Sequence, residues 1–439
     1  MFDANANPEK RLFISLITRD ISLTDAVVDL MDNSVNAAMR PVRNAFKTAA
    51  DFHKVFARRS AKPAVTIKVV FDTEQITVTD DAAGIDFNSA MKEVFRFGHS
   101  DDSGSDRDRL SVYGIGMKRA LFKVGDKISV VSDHEHGGFS LELDVRKWAR
   151  DTQLPWTFPI DKRPPKANAT GTKIVIRHLH EDTKARISDG RFESDLIEKI
   201  SKVYSFFLGR IVIASVNGKP VHATEFEIGS NFSHDNFTSD GVSCSITAGI
   251  AAASGDKFVA DAAGWFVFCN FRTVIYGDKS RLSGWGDTLP LFQPKHRPFL
   301  GLIFFTSADP ELLPWTTTKG SINEDNLVWQ DAKMRMVANA KPILKFLDAR
   351  YSAEGTEVDP GRVAKISGPP ENVFEATVSQ HKLFKVKRKA GSKQVKVQYF
   401  ASQPELDRVR KHFARATMSA SEIGRKTFDF FLRNEVGGE

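Results

Sequence analysis

The sequence predicts an α+β protein: a helix-plus-antiparallel-sheet layer first, a second α+β domain after it, and a small basic, partly helical C-terminal region. Three observations carry this reading. Runs of alternating apolar and polar residues recur at 65–71, 75–80, 127–133, 139–145 and 171–179, the period-two signature of half-buried strands. Apolar residues at helical spacing occupy 22–41 and 117–124, so helices interleave with the strands. The 439 residues are enough for two or three cores.

In chain order, Ser22-Leu23-Thr24-Asp25 fits a capping box. The apolar positions Val27, Leu30, Met31, Val35 and Ala38 then give a helix with one apolar side, expected to stop at Pro41. VTIKVVF and QITVTD, separated by Asp72-Thr73-Glu74, read as a hairpin. Residues 98–113, rich in Gly, Ser and Asp without periodicity, read as a mobile loop before the short helix 117–124. KISVVSD, FSLELDV after the His136-Gly137-Gly138 turn, and GTKIVIRHL complete a first domain, 1–180. A helix over 194–208, then IVIASV, an Asn217-Gly218 turn, GWFVFCNF (264–271), FLGLIFF (299–305) and a helix over about 330–351 make a second, 181–352. Region 353–439 starts with a Pro/Gly-rich linker, 353–370. It continues through 382–396, with seven Lys or Arg and no acid, into two short helices.

Lys plus Arg number 62 against 55 Asp plus Glu, a net +7 that by itself assigns no partner. Cys244 and Cys269 have no metal-ligand spacing and are too few for a disulfide framework. The opening MFDANANPEK is no secretory leader, and no apolar run is long enough to span a bilayer. A cytoplasmic protein without a membrane partner is expected.

The stretch DLMDNSVN places Asp29, Asn33 and Asn36 on one helix face. A solvated face is the plain alternative. In a site, the carboxylate polarises a water and the amide oxygen of Asn33 completes a Mg²⁺ shell. Asp80 ends a strand and precedes Asp81-Ala82-Ala83-Gly84-Ile85. It is either a turn former or a buried acceptor for a base's exocyclic amine, with Gly84 letting the ring approach. Gly114-Ile115-Gly116-Met117-Lys118 opens a helix, where free amides and the dipole favour an anion and Lys118 adds a full charge. It is neither a dinucleotide fingerprint nor a P-loop.

The order of these pieces is what identifies them. Acid-x-x-x-Asn on a helix, Asp-x-Gly/Ala-x-Gly after a strand, a Gly-rich lid ending in Gly-x-Gly, and Gly171-Thr172 opening a strand together resemble the GHKL ATPase domain. That superfamily includes gyrase B subunits, MutL, Hsp-type chaperones, histidine kinases and MORC proteins. The resemblance implies a Bergerat two-layer α/β sandwich that binds ATP and Mg²⁺. In it Asp29 activates water, Asn33 ligates the metal, and Asp80 reads adenine beside Gly84 and Thr172. Gly114, Gly116 and Lys118 cradle phosphates. FGHS at 97–100 with YGIGMK at 113–118 is most similar to MORC-type proteins and their bacterial relatives.

Two departures stand out: Asp29 where most hydrolysing relatives have Glu, and Ala82 for the first glycine of the adenine motif. An acid shorter by about 1.5 Å implies slow hydrolysis, since a misplacement of about 1 Å can cost on the order of 10²-fold. LPWTTTKGSIN (313–323) resembles the transducer loop that sends a lysine to the γ-phosphate, which makes Lys319 the candidate; an exposed lysine in a Thr-rich turn is the alternative. CNFRTVI (269–275) resembles an Asn-x-Arg transducer strand. The follow-on domain sets the chain apart from histidine kinases. The resemblance implies an ATP-gated homodimeric clamp, with DNA held through 382–396 and a protein partner in a restriction or phage-defence system. Alternatives are a switch with little hydrolysis and a chaperone-like remodeller, and for 382–396 a solvated surface hairpin.

Overall fold

The alternating segments become strands whose apolar residues share one face. The computed structural model describes residues 9–45, 63–98, 110, 114–151, 155–166, 168–251, 260–354, 371–372, 400–413 and 417–437. Most of the loop 98–113, the linker beyond residue 354 and the whole basic segment 382–396 lie outside these residues. The chain divides into two compact units, 1–386 and 387–439.

Helix α1 (Lys10–Thr18) precedes α2 (Leu23–Ala45). Ser22 begins α2 by accepting the Asp25 amide at its Oγ, 3.1 Å away. The helix continues through Pro41 instead of stopping there. A proline in the last turn removes one backbone hydrogen bond without breaking the turns before it. Its surroundings also differ from the one-sided pattern: every residue from Ala26 to Asp32 is buried, polar ones included. Full burial of Val27, Leu30 and Met31 contributes roughly 1.5–3 kcal/mol each relative to exposure. This enclosure puts the Asp29 and Asp32 carboxylates inside the fold instead of on its surface.

Beneath α2 lie β1 (Val65–Phe71) and β2 (Gln75–Asp80), an antiparallel hairpin. Val65, Ile67 and Val69 are buried, whereas Lys68 and Val70 face solvent. A short helical turn, Phe87–Ser89, runs on as a π-helix over Ala90–Val94. Next come α3 (Gly116–Val124), β3 (Gly125–Asp133), β4 (Phe139–Asp144), α4 (Val145–Arg150), β5 (Ile160–Lys162) and β6 (Gly171–Leu179). After α5 (Glu181–Ser188) and α6 (Phe192–Val203), the chain returns to the same sheet as β7 (Val212–Val216) and β8 (Lys219–Val221). The strand order is β5-β4-β3-β6-β2-β1-β7-β8, antiparallel except where β7 joins β1. IVIASV, read from the sequence as part of the second domain, thus belongs to the first sheet. Its alternation shows a half-buried strand but cannot reveal which edge it joins.

The second sheet contains β9 (Glu227–Ser239), β10 (Val242–Ala251), β11 (Gly264–Cys269), β12 (Arg272–Asp278) and β13 (Phe299–Thr306). The long helix α7 (Leu327–Glu354) packs on β9, β10 and β13, and β14 (Glu371–Asn372) closes one edge. The segment CNFRTVI is not one strand: β11 and β12 form a hairpin around Asn270 and Phe271, both left-handed at φ 46° and 67°. Two central residues with positive φ are the mark of a type I′ hairpin turn. That turn sets Arg272 at the start of β12, and α6 packs against this strand as well as against α2. In the second unit the two short helices form, as α8 (Gln403–His412) and α9 (Ala420–Phe431).

Candidate functional site

A cavity of about 860 Å³ lies between α2, the start of α3 and the β2/β6 strand ends. Asp29, Asn33, Asp80, Gly84, Gly114, Gly116, Lys118, Thr172 and Lys319, the residues picked out in the sequence, all line it. They come from five separate segments of the chain.

At the β2 end, Asp80 is paired across the sheet with Thr172. Its Oδ1 accepts the amides of Ala82 at 3.0 Å and Thr172 at 3.3 Å, and its Oδ2 accepts the Ser34 hydroxyl at 2.7 Å. Burial raises the Asp80 carboxyl above its usual range, with these hydrogen bonds pulling it back. The Thr172 hydroxyl pairs with Ser132 Oγ at 2.9 Å, and Ser132 Oγ accepts the Ile85 amide at 2.8 Å. Gly84 has a reason of its own, beyond ring access. At φ 71° a Cβ would stand 2.0 Å from the Asp133 carbonyl oxygen, so only glycine allows this loop to lie against β3.

At the other end, α3 begins at Gly116 with no side chain capping its first amides. Gly114 has the left-handed φ of 60° that its residue type permits. A Cβ on Gly116 would meet the Asp29 carboxyl at an ordinary 3.8 Å, so packing alone does not demand glycine there. The Lys118 ammonium is engaged away from a phosphate cradle: it donates to the carbonyl oxygens of Val94 at 3.0 Å and Arg96 at 2.7 Å. Burial lowers its pKa to about 8.

Asp29 is buried and paired with Arg119, whose Nε and Nη2 both donate to its Oδ2, the former at 3.2 Å. Burial pushes the Asp29 carboxyl upward, against the pull of Lys319 and Arg119. Its Oδ1 takes no hydrogen bond among the described residues. Asn33 donates from Nδ2 to the Asp29 carbonyl oxygen at 3.5 Å, which leaves its amide oxygen available to the cavity. Asn36 accepts the Leu110 amide at 3.1 Å, and its Nδ2 is buried without a partner among the described residues. An orphaned donor in a polar cavity fits a ligand rich in acceptor oxygens.

Lys319 is the residue whose surroundings differ most from an exposed turn. It is 7% exposed, and its ammonium donates to Asp32 Oδ2 at 2.7 Å. Asp32 Oδ1 accepts from Arg272 Nε at 3.0 Å and from the Tyr204 hydroxyl at 2.8 Å. Burial alone would raise the Asp32 carboxyl, but Arg272 and Lys319 outweigh it and hold it below the usual range. Asp32, Arg119, Tyr204 and Ser34 are thus residues around these carboxylates that sequence reasoning missed, whereas Arg272 is the arginine of the Asn-x-Arg segment, read in the sequence without a stated contact. The available signal was Asp32 itself, a second acid inside DLMDNSVN three residues after Asp29.

The donor set suits a nucleoside triphosphate. A buried carboxylate and amide cluster stands at one end, and uncapped helix amides with cations at the other. Among the described residues no group of three or more His, Cys, Asp or Glu is arranged to hold a metal. A Mg²⁺ here would therefore combine Asn33 with phosphate oxygens and water, as that ion commonly does. No helix among the described residues is long and apolar enough to cross a membrane. No curated protein matches the chain. Residues 21–189 match the family model of histidine kinase-, DNA gyrase B-, and HSP90-like ATPases, which supports the GHKL superfamily for this part of the chain and, with it, ATP binding.

Proposed function

We propose that the protein is an ATP-operated clamp of MORC-like type, in which residues 1–180 bind ATP with Mg²⁺ and 181–352, apart from the strands β7 and β8 that complete the first sheet, act as the transducer. The observation that carries this is the convergence of the predicted residues, Lys319 of the second region among them, on one cavity. Asp80 reads the base through the lone pair left on Oδ2, and the α3 amides take the phosphates. Asn33 holds the metal, which when bound neutralises phosphate charge. Asp29 Oδ1 takes the proton of the attacking water, and burial makes that carboxyl a better base. Lys319 meets the terminal phosphate, and two protomers associate. The basic segment 382–396 supplies a DNA contact, and a restriction or phage-defence system the protein partner. The family resemblance supports these last two points.

One observation favours a second reading, a switch with little hydrolysis: Arg119 already occupies one oxygen of Asp29. Steady-state ATP turnover separates the two. Calorimetry tests the binding reading. ATP with Mg²⁺ should bind the wild type, and Asp80→Asn should weaken it about 100-fold by turning a donor toward the base's amine. The variant keeps an oxygen for the Ala82 and Thr172 amides and should fold. Unchanged affinity would remove Asp80 from the site. Salt-dependent DNA binding that survives removal of residues 353–439 would exclude the basic segment.

A further inference from the structure

Lys319 is held in two independent ways. Its backbone is fixed by Arg272, whose Nη1 donates to the Lys319 carbonyl oxygen at 2.9 Å, and by its own amide, which donates to the Thr316 carbonyl oxygen at 2.8 Å. Its φ of 53° is the left-handed conformation of that tight turn. Its ammonium, in contrast, has one hydrogen-bond partner among the described residues, Asp32 Oδ2.

Asp32 is arranged to lose that partner. Breaking a buried ion pair ordinarily strands a charge and is strongly unfavourable. Here Oδ1 has partners independent of the ammonium on Oδ2: Arg272 Nε, and the Tyr204 hydroxyl, whose one proton also has the Val28 carbonyl oxygen within 2.9 Å. Arg272, 4% exposed, therefore serves two ends at once: it neutralises Asp32 and pins the backbone of the residue that shares it. A planar guanidinium can do this because its donors diverge in a fixed fork, which a lysine cannot copy.

Resting on the reading of Lys319 as the lysine that meets the terminal phosphate, we infer that Asp32 and Arg272 are positioning residues. Arg272 fixes the Lys319 backbone at the cavity wall, and Asp32 holds the ammonium in reserve. The ammonium exchanges one anion for another, so only a ligand whose terminal oxygens compete with a buried carboxylate recruits it. A triphosphate meets that demand and a diphosphate does not. Asp32 thereby lowers the apparent affinity for the triphosphate by the fraction of time it holds the lysine.

The test compares calorimetric affinities for ADP and a non-hydrolysable ATP analogue in wild type, Asp32→Asn, Lys319→Met and the double variant. Asp32→Asn should raise the preference for the analogue over ADP about tenfold, and the double variant should lack that gain. Arg272→Lys should weaken the analogue several-fold and leave ADP unchanged. An unchanged or smaller preference in Asp32→Asn, or the same gain in the double variant, overturns the inference. If Lys319→Met retains the wild-type preference while ATP still binds, the reading of Lys319 itself fails. Should Asp32→Asn not fold, the wild type decides through the ¹⁵N signal of the Lys319 ammonium, assigned by its loss in Lys319→Met. It should be indifferent to ADP and move with the analogue; equal movement with both overturns the reserve role.

Discussion

At one end of the cavity Asp80 is held by uncharged donors, the Ser34 hydroxyl and the amides of Ala82 and Thr172, whereas at the other Asp29 and Asp32 are held by guanidinium and ammonium groups. The difference separates two kinds of recognition. Neutral donors orient a carboxylate without compensating its charge, so burial dominates and the group stays a willing acceptor for another neutral donor. Cations lock a carboxylate into an ion pair whose value depends on both partners being present.

The most damaging break is expected at the charged end. Arg119→Met leaves Asp29 buried without its guanidinium, and unfolding in denaturant should show a loss of about 3–5 kcal/mol. A loss below about 1 kcal/mol would mean that Lys319 already compensates Asp29 and that the two ends differ little.

Acid titration sharpens the contrast between Asp80 and Asp32, which respond with opposite sign, while Asp29 is raised by burial despite its cations. The folded-state pKa of Asp80 lies above 3.8, so folding favours its proton. Relative to Asp80→Asn, the wild type should lose stability as pH rises from 3.8 toward the raised value. The folded-state pKa of Asp32 lies below 3.8, so its contribution is complete above that pH. Relative to Asp32→Asn, the wild type should lose stability only as pH falls below 3.8. Parallel slopes for the two pairs would erase the distinction. The smallest effect is expected for Ser34→Ala, which removes one hydrogen bond from an uncharged donor to the Asp80 carboxylate and should lower stability by about 1.5–2 kcal/mol. A drop as large as that of Arg119→Met would show Asp80 to be held as tightly as the ion pairs.

What could be read in advance follows the range of the interaction involved. Asp29 and Asn33 are four apart on one helix, and the β1–β2 hairpin closes over a short turn, so local spacing reports both. Asp32, Arg272 and Lys319 meet from α2, a hairpin turn in the second sheet and the Thr316–Lys319 turn. No spacing encodes that meeting. Charge alone also does not tell that the Lys118 ammonium, at the start of α3 beside the cavity, donates to the carbonyls of Val94 and Arg96. The role of Gly84 was legible as glycine and not as a cause, because the Asp133 carbonyl that excludes a Cβ belongs to another strand.

The pairing of β1 with β7 has a consequence for how the protein is made. Residues 65–69 meet residues 212–216, so a nascent chain carries β1 as an open edge until β7 has left the ribosome. Asp32 then waits longer still for Arg272 and Lys319. A fragment ending at residue 189, where the family match ends, would keep both defects permanently: an unpaired strand edge, prone to join another chain, and a carboxylate in an apolar helix cradle with neither cation. The first sheet and the Asp32 cluster are thus completed by residues synthesised more than a hundred positions later.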